Sequence, residues 1–169
     1  LIVRRGLRVD PLLVGGEQER ARRPGLENVP ALVGFAAAAQ AVAAPAVLDD
    51  EAAAARRRTT RLRAAATAVD GVHAVGDPEA RLPHIVCLTI DGVEAEPILL
   101  GLDQRGIAAH SGSSCSSESL APSPVLEAMG VDAERSLRLS VGWSSTDADV
   151  DAFATAFPDV VARLRRLRS

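Results

Sequence analysis

One cysteine stands in a stretch built for presentation rather than packing. His110-Ser111-Gly112-Ser113-Ser114-Cys115-Ser116-Ser117-Glu118-Ser119 holds its thiol among six serines and one glycine, with no bulky apolar side chain to anchor it. Such a composition predicts a loop, and loops carried by a rigid scaffold are where reactive groups concentrate. A thiolate is a nucleophile, so Cys115 is the candidate catalytic residue. The other cysteine, Cys87, lies in Ile85-Val86-Cys87-Leu88-Thr89-Ile90. That run predicts a buried strand in which Cys87 serves as a small hydrophobe. Arg138 is the third residue of interest. In Ser136-Leu137-Arg138-Leu139-Ser140-Val141 the alternation points Leu137, Leu139 and Val141 to a core and Arg138 to the opposite face. A guanidinium fork suits a carboxylate, although on the residues alone a surface ion pair serves as well. His110 is either a proton donor beside the thiol loop or an incidental polar neighbour.

Composition limits what these groups can do. The chain of 169 residues has 19 basic side chains, all arginine, and no lysine. No Schiff base can therefore form on a side chain of this protein. A hydrophobic content of 47% excludes a disordered chain, and an aromatic content of 2% leaves the core to Leu, Val, Ile and Ala. The length suffices for one domain with a real core. A net charge of −3 argues against a nucleic-acid partner. Two cysteines in such different surroundings suggest no disulfide framework, and a reducing cytoplasm is the expected location. No signal peptide or membrane-spanning run is apparent. The most apolar stretch, residues 29–44, is rich in alanine and predicts a buried helix. The chain starts on a strand-like run, Leu1-Ile2-Val3, which suggests a piece of something longer.

The elements that must position these residues follow from period and punctuation. Asn28 caps a helix opened by Pro30 and ending near Pro45. A second helix runs from about Val47 to Val69, with Ala52, Ala55, Thr59, Leu62, Ala66 and Val69 on one face. Arg56, Arg57, Arg58, Arg61 and Arg63 fall mostly off it. Gly71, Gly76, Asp77 and Pro78 mark a turn-rich connector. After the Cys87 strand come a helix from Glu94 to Gln104, a short strand from Ile107 to Ala109, the thiol loop, a short helix from Pro124 to Met129 and the Arg138 strand. Thr146 and Asp149 form a capping box opening a last helix, which Pro158 should break or kink. The order predicts an α/β or α+β domain, a short sheet packed with helices.

Three blocks in order resemble the cysteine desulfurases, pyridoxal-phosphate enzymes of fold type I related to the class V aminotransferases. Gly15-Gly16-Glu17-Gln18-Glu19-Arg20, with Arg23-Pro24-Gly25-Leu26-Glu27-Asn28-Val29-Pro30, resembles that family's GGGQE and GTENVP segments. Arg105 to Ser117, continuing through Pro122-Ser123-Pro124-Val125-Leu126 and Met129-Gly130, resembles its active-cysteine loop. Ser136 to Ser140, followed by Thr146 and residues 147–151, resembles its final strand and helix. The resemblance implies residues 1–28 as the end of a cofactor-binding large domain, 29–70 as connecting helices and 71–169 as a small C-terminal domain. It implies Cys115 as the nucleophile that takes sulfur from L-cysteine as a persulfide, leaving alanine, and Arg138 as the anchor of the substrate carboxylate. It implies transient iron–sulfur ligation by Cys115 at most, and no resident metal.

The same resemblance implies a homodimer, a sulfur-acceptor protein as partner (an iron–sulfur scaffold or a tRNA-thiolation protein), and neither nucleic acid nor membrane as a direct partner. Two departures stand out. Leu26 replaces the family's phosphate-contacting threonine, and Glu17 replaces the third glycine of GGGQE. The family's aldimine lysine lies upstream of Leu1, so covalent pyridoxal 5'-phosphate is not expected on this chain, and the chain alone is expected to be inactive. The alternatives are a non-catalytic sulfur-relay or desulfurase-pairing module, or a related class V aminotransferase or selenocysteine lyase.

Overall fold

The computed structural model describes residues 3–112 and 123–168. The chain falls into two compact units, Leu1–Val47 and Leu48–Ser169.

In the first unit a single turn, α1 (Gln18–Ala21), has left-handed backbone at three successive non-glycine residues, with φ of 52°, 60° and 59° at Glu19, Arg20 and Ala21. L-residues seldom adopt this conformation in sequence. α2 (Val29–Val42) starts as expected: Pro30 lies in its first turn, and the Ala31 N–H donates to Asn28 Oδ1 at 3.1 Å. It stops at Val42, before Pro45. The expectation of a buried helix fails, because none of its residues is buried and Phe35 is 75% exposed. Its apolar side chains point to every side, and its own unit does not cover them.

The second unit is built on a four-stranded antiparallel sheet in the order β1-β2-β4-β3, formed by Val72–Val75, Ile85–Ile90, Ser136–Ser140 and His110–Ser111 respectively. β1 was not expected, since four residues between Gly71 and Gly76 read as part of a connector. Both glycines have positive φ, 66° and 86°, and so close the strand at each end. The strand expected at 107–109 forms at 110–111 instead: Ile107 and Ala109 pack against the core as irregular chain, and only His110 and Ser111 join the ladder of β4.

Helices cover one face of this sheet. α3 (Pro45–Thr67) buries Thr59, Leu62 and Ala66 and half-buries Ala52 and Ala55, the face read from its spacing. The Thr59 hydroxyl donates to Pro83 O at 2.9 Å and so needs no further partner. α4 (Ala95–Asp103) contributes Ile98 and Leu102, and α6 (Asp147–Arg168) contributes Val150, Phe153, Phe157, Val160 and Val161. Phe153 and Phe157 stack with centroids 4.9 Å apart. These side chains meet Val86, Leu88, Ile90, Leu137 and Leu139 from the sheet. α5 (Pro124–Ala128) is capped by Ser123 and buries Leu126.

α6 runs through Pro158 as one helix, so the expected break is absent. A proline inside a helix costs about 3 kcal/mol or more. Burying each large apolar side chain returns about 1.5–3 kcal/mol, and Phe153, Phe157, Val160 and Val161 straddle the proline. The Thr146 N–H donates to Asp149 Oδ2 at 2.7 Å and the Asp149 N–H to Thr146 Oγ1 at 3.3 Å, so the capping box is reciprocal. Arg58 and Arg61 of α3 pair with Asp147 and Asp151 of α6 and tie the two helices at their polar edge.

Candidate functional site

β4 lies inside the sheet, flanked by β2 and β3, so Arg138 has a cross-strand partner on each side. In the ladder Cys87 is opposite Arg138 on one side and His110 on the other. Directly opposed residues of an antiparallel pair share a face. The four buried core residues Val86, Leu88, Leu137 and Leu139 alternate with this row, which therefore lies on the face opposite them. Arg138 is half-buried, and its Nε is shielded from solvent with no hydrogen-bond partner among the described residues. A buried donor left unmatched costs free energy, more so when it is charged. The described residues supply no acceptor for it.

The expectation that Cys87 is a core residue is corrected here. β2 buries Val86, Leu88 and Ile90, while Ile85, Cys87 and Thr89 are half-buried on the other face. The apolar run hid this alternation, because isoleucines occupy both faces. Cys87 is a free thiol, and burial pushes its pKa above the usual range; the Leu88 backbone and the Arg138 charge oppose that only in part. It therefore stays protonated at neutral pH. His110 is exposed, with Nδ1 3.2 Å from Ser111 O. Sequence reasoning placed Arg138 and His110 in separate segments; the ladder brings them side by side.

Cys115 lies outside the described residues. The described chain on either side of that segment is anchored. The Gly112 N–H donates to Ser136 O at 2.9 Å, which extends β3 against β4. Ser123 Oγ accepts from the Leu126 N–H at 3.5 Å. Gly112 was read only as part of the loop's composition, yet its lack of a side chain is what lets it lie on Ser136 and Leu126.

Leu26 and Glu17 belong to the first unit. Leu26 is 92% exposed and, with Arg23, Gly25, Asn28 and Ala31, lines an open groove of about 310 Å³ at the N-terminus of α2. Asn28 already occupies the Ala31 N–H, Arg23 Nη1 donates to Pro24 O at 2.8 Å, and the Leu26 side chain has no donor where the resembled family has a threonine hydroxyl. These residues do not fit a cofactor phosphate. No cluster of His, Cys, Asp and Glu among the described residues could hold a metal ion.

The family model described as aminotransferase class-V matches residues 9–153. The chain is 41% identical over 170 residues to the cysteine desulfurase IscS of Methanosarcina thermophila, covering 99% of this chain and 42% of that protein. It is 38% identical over 171 residues to the cysteine desulfurase NifS of Azotobacter vinelandii, again covering 99% of this chain and 42% of the relative. Among solved structures it resembles a NifS-like protein from Rickettsia africae with a TM-score of 0.74 and 29% identity, over 92% of this chain and 41% of the other. The chain thus spans about two fifths of the length of these relatives.

Proposed function

The chain belongs to the class-V aminotransferase family, and from that premise we propose that it is the substrate-anchoring and sulfur-accepting part of a cysteine desulfurase. The observation that carries the reading is Arg138, with its unmatched buried Nε on the open face of the sheet. A carboxylate supplies the missing acceptor, and the planar fork fixes the orientation of an amino acid bound through it. The overall change is L-cysteine plus the Cys115 thiol giving L-alanine plus the Cys115 persulfide. The substrate's C–S bond breaks, an S–S bond forms, and the two hydrogens pass to alanine's methyl group and the persulfide.

Class-V aminotransferases are pyridoxal-phosphate enzymes, and the cofactor supplies an electron sink when bound. The residues of this chain do not fit it. There is no lysine to hold it covalently, and at the groove Leu26 brings no side-chain donor, which leaves the Arg23 guanidinium as the one cationic group lining it. What this chain contributes is the hold on the carboxylate and the thiol that receives sulfur. From Cys115 the sulfur passes to an acceptor protein, an iron–sulfur scaffold or a tRNA-thiolation protein. A homodimeric assembly in the cytoplasm belongs to the same proposal.

The departures at Leu26 and Glu17 favour one further reading, a non-catalytic module that relays sulfur through Cys115. Both readings make Cys115 the sulfur acceptor. The test is to incubate the chain with a complete cysteine desulfurase and L-cysteine, then map persulfide by mass spectrometry under non-reducing conditions. One added sulfur atom on the Cys115 peptide is expected. Sulfur on Cys87 alone, or on neither cysteine, overturns the proposal.

A further inference from the structure

We propose that Cys87 is a positioning residue for Arg138: lying directly across the ladder, it leaves the guanidinium without a competing acceptor and so available to a substrate carboxylate. The inference rests on the reading of Arg138 as a carboxylate anchor and names what keeps that anchor free.

The argument begins with the register. Cys87 and Arg138 oppose each other and face the same way, so the residue at 87 is the β2 side chain with closest access to the arginine stem. Opposed positions on a sheet are where an arginine commonly finds an acidic partner. Here the partner is a thiol, whose sulfur is a weak acceptor. Its protonated state, set by burial, keeps it from acting as an anion. On the other side of Arg138 the opposed residue is His110, which carries no negative charge in either protonation state. The cross-strand pairs that flank this row on its own face, Ile85 with Ser140 and Thr89 with Ser136, carry no charge.

The consequence is visible in the orphaned Nε. Were residue 87 an aspartate or asparagine, its oxygen would reach Arg138 across the ladder, as opposed pairs do. The arginine would then be satisfied internally, and a carboxylate ligand would have to displace that bond. Cys87 is small enough to share the row and too poor an acceptor to capture the guanidinium. The unmatched donor lowers the stability of the empty fold and is recovered when a carboxylate binds, so the residue shapes affinity without touching the substrate.

The test uses the full chain labelled with nitrogen-15 and reads the Arg138 Nε–Hε signal, assigned by its loss in Arg138→Lys. The probe is L-alanine. Three variants are compared: Cys87→Ala, Cys87→Asn and Cys87→Asp. The expected order follows acceptor strength, not size: Cys87→Ala binds like the parent, Cys87→Asn binds more weakly, and Cys87→Asp is weaker by about tenfold, the difference a charged pair makes. In Cys87→Asp the Arg138 signal also shifts before any ligand is added. Asparagine and aspartate are nearly isosteric, so a purely structural effect would move both equally. Equal binding by the two in folded protein overturns the inference while leaving the carboxylate anchor intact. Where Cys87→Asp fails to fold, Cys87→Asn against Cys87→Ala decides: weaker binding by the asparagine supports the inference and equal binding overturns it. If L-alanine moves no Arg138 signal in the parent chain, the carboxylate reading itself fails, and this inference with it.

Discussion

Gly112 lies directly on Ser136. A methyl group on its α-carbon would overlap the Ser136 hydroxyl and sit 2.6 Å from Leu126 Cδ1. The Ser136 hydroxyl cannot easily retreat, because it is buried and donates to Ala133 O at 2.6 Å. Gly112→Ala should therefore destabilise the chain by about 1–3 kcal/mol through overpacking. Urea unfolding checks this: the midpoint should fall with the slope unchanged. An unaltered midpoint would mean that the β3 end is free to move away from Ser136.

The two thiols should separate by environment. Burial holds Cys87 above its ordinary pKa, so it is protonated at neutral pH. Cys115 sits in a serine-rich segment with no apolar neighbour in sequence to bury it. Brief treatment of the folded chain with iodoacetamide near pH 7 should label Cys115 in preference to Cys87, by peptide mapping. The Cys87 share should rise as the pH is raised, because its thiolate forms only there. Faster labelling of Cys87 at neutral pH would sink the assignment of Cys115 as the reactive thiol.

The start of α6 should carry an acid-dependent contribution. Hydrogen bonds from the Thr146 N–H and hydroxyl hold the Asp149 carboxyl below the usual carboxylate range. A depressed carboxylate stabilises the fold above its unfolded pKa, and that contribution is lost as pH falls through the lower folded value. Asp149→Ala should therefore unfold earlier than the parent at neutral pH, and the gap should close below about pH 4. A gap that does not change with pH would place the loss elsewhere in the cap.

The sequence was most legible where period and burial agree. Leu137, Leu139 and Arg138 alternate in β4 as their pattern requires, and the α3 face from Ala52 to Ala66 packs at its 3.6-residue spacing. The N-cap at Asn28 and the capping box at Thr146 depend on side chains within three residues of their partners, so local reading found them. What escaped depends on pairing across the sheet. β1 is too short to show a period, and only its ladder to β2 makes it a strand. The face on which Cys87 lies could not be read from a run of Ile, Val and Leu, since both faces are apolar. Its opposition to Arg138 is a property of register, which a single strand does not contain. Pro158 does not end α6 because its local cost is outweighed by side chains that meet their partners only in the folded chain.

The role of Arg138 is tested most directly by the apparent KM for L-cysteine in a chimera. In it, this chain replaces the matching segment of the Methanosarcina thermophila relative, and Arg138 is compared with Arg138→Ala. Losing a charge-assisted pair to the substrate carboxylate should cost about 1.5–3 kcal/mol, which is a rise in KM of roughly ten- to a hundredfold. The fold should be little affected, since the arginine lies on the face away from the core. An unchanged KM in a folded Arg138→Ala chimera that still releases alanine would contradict the account.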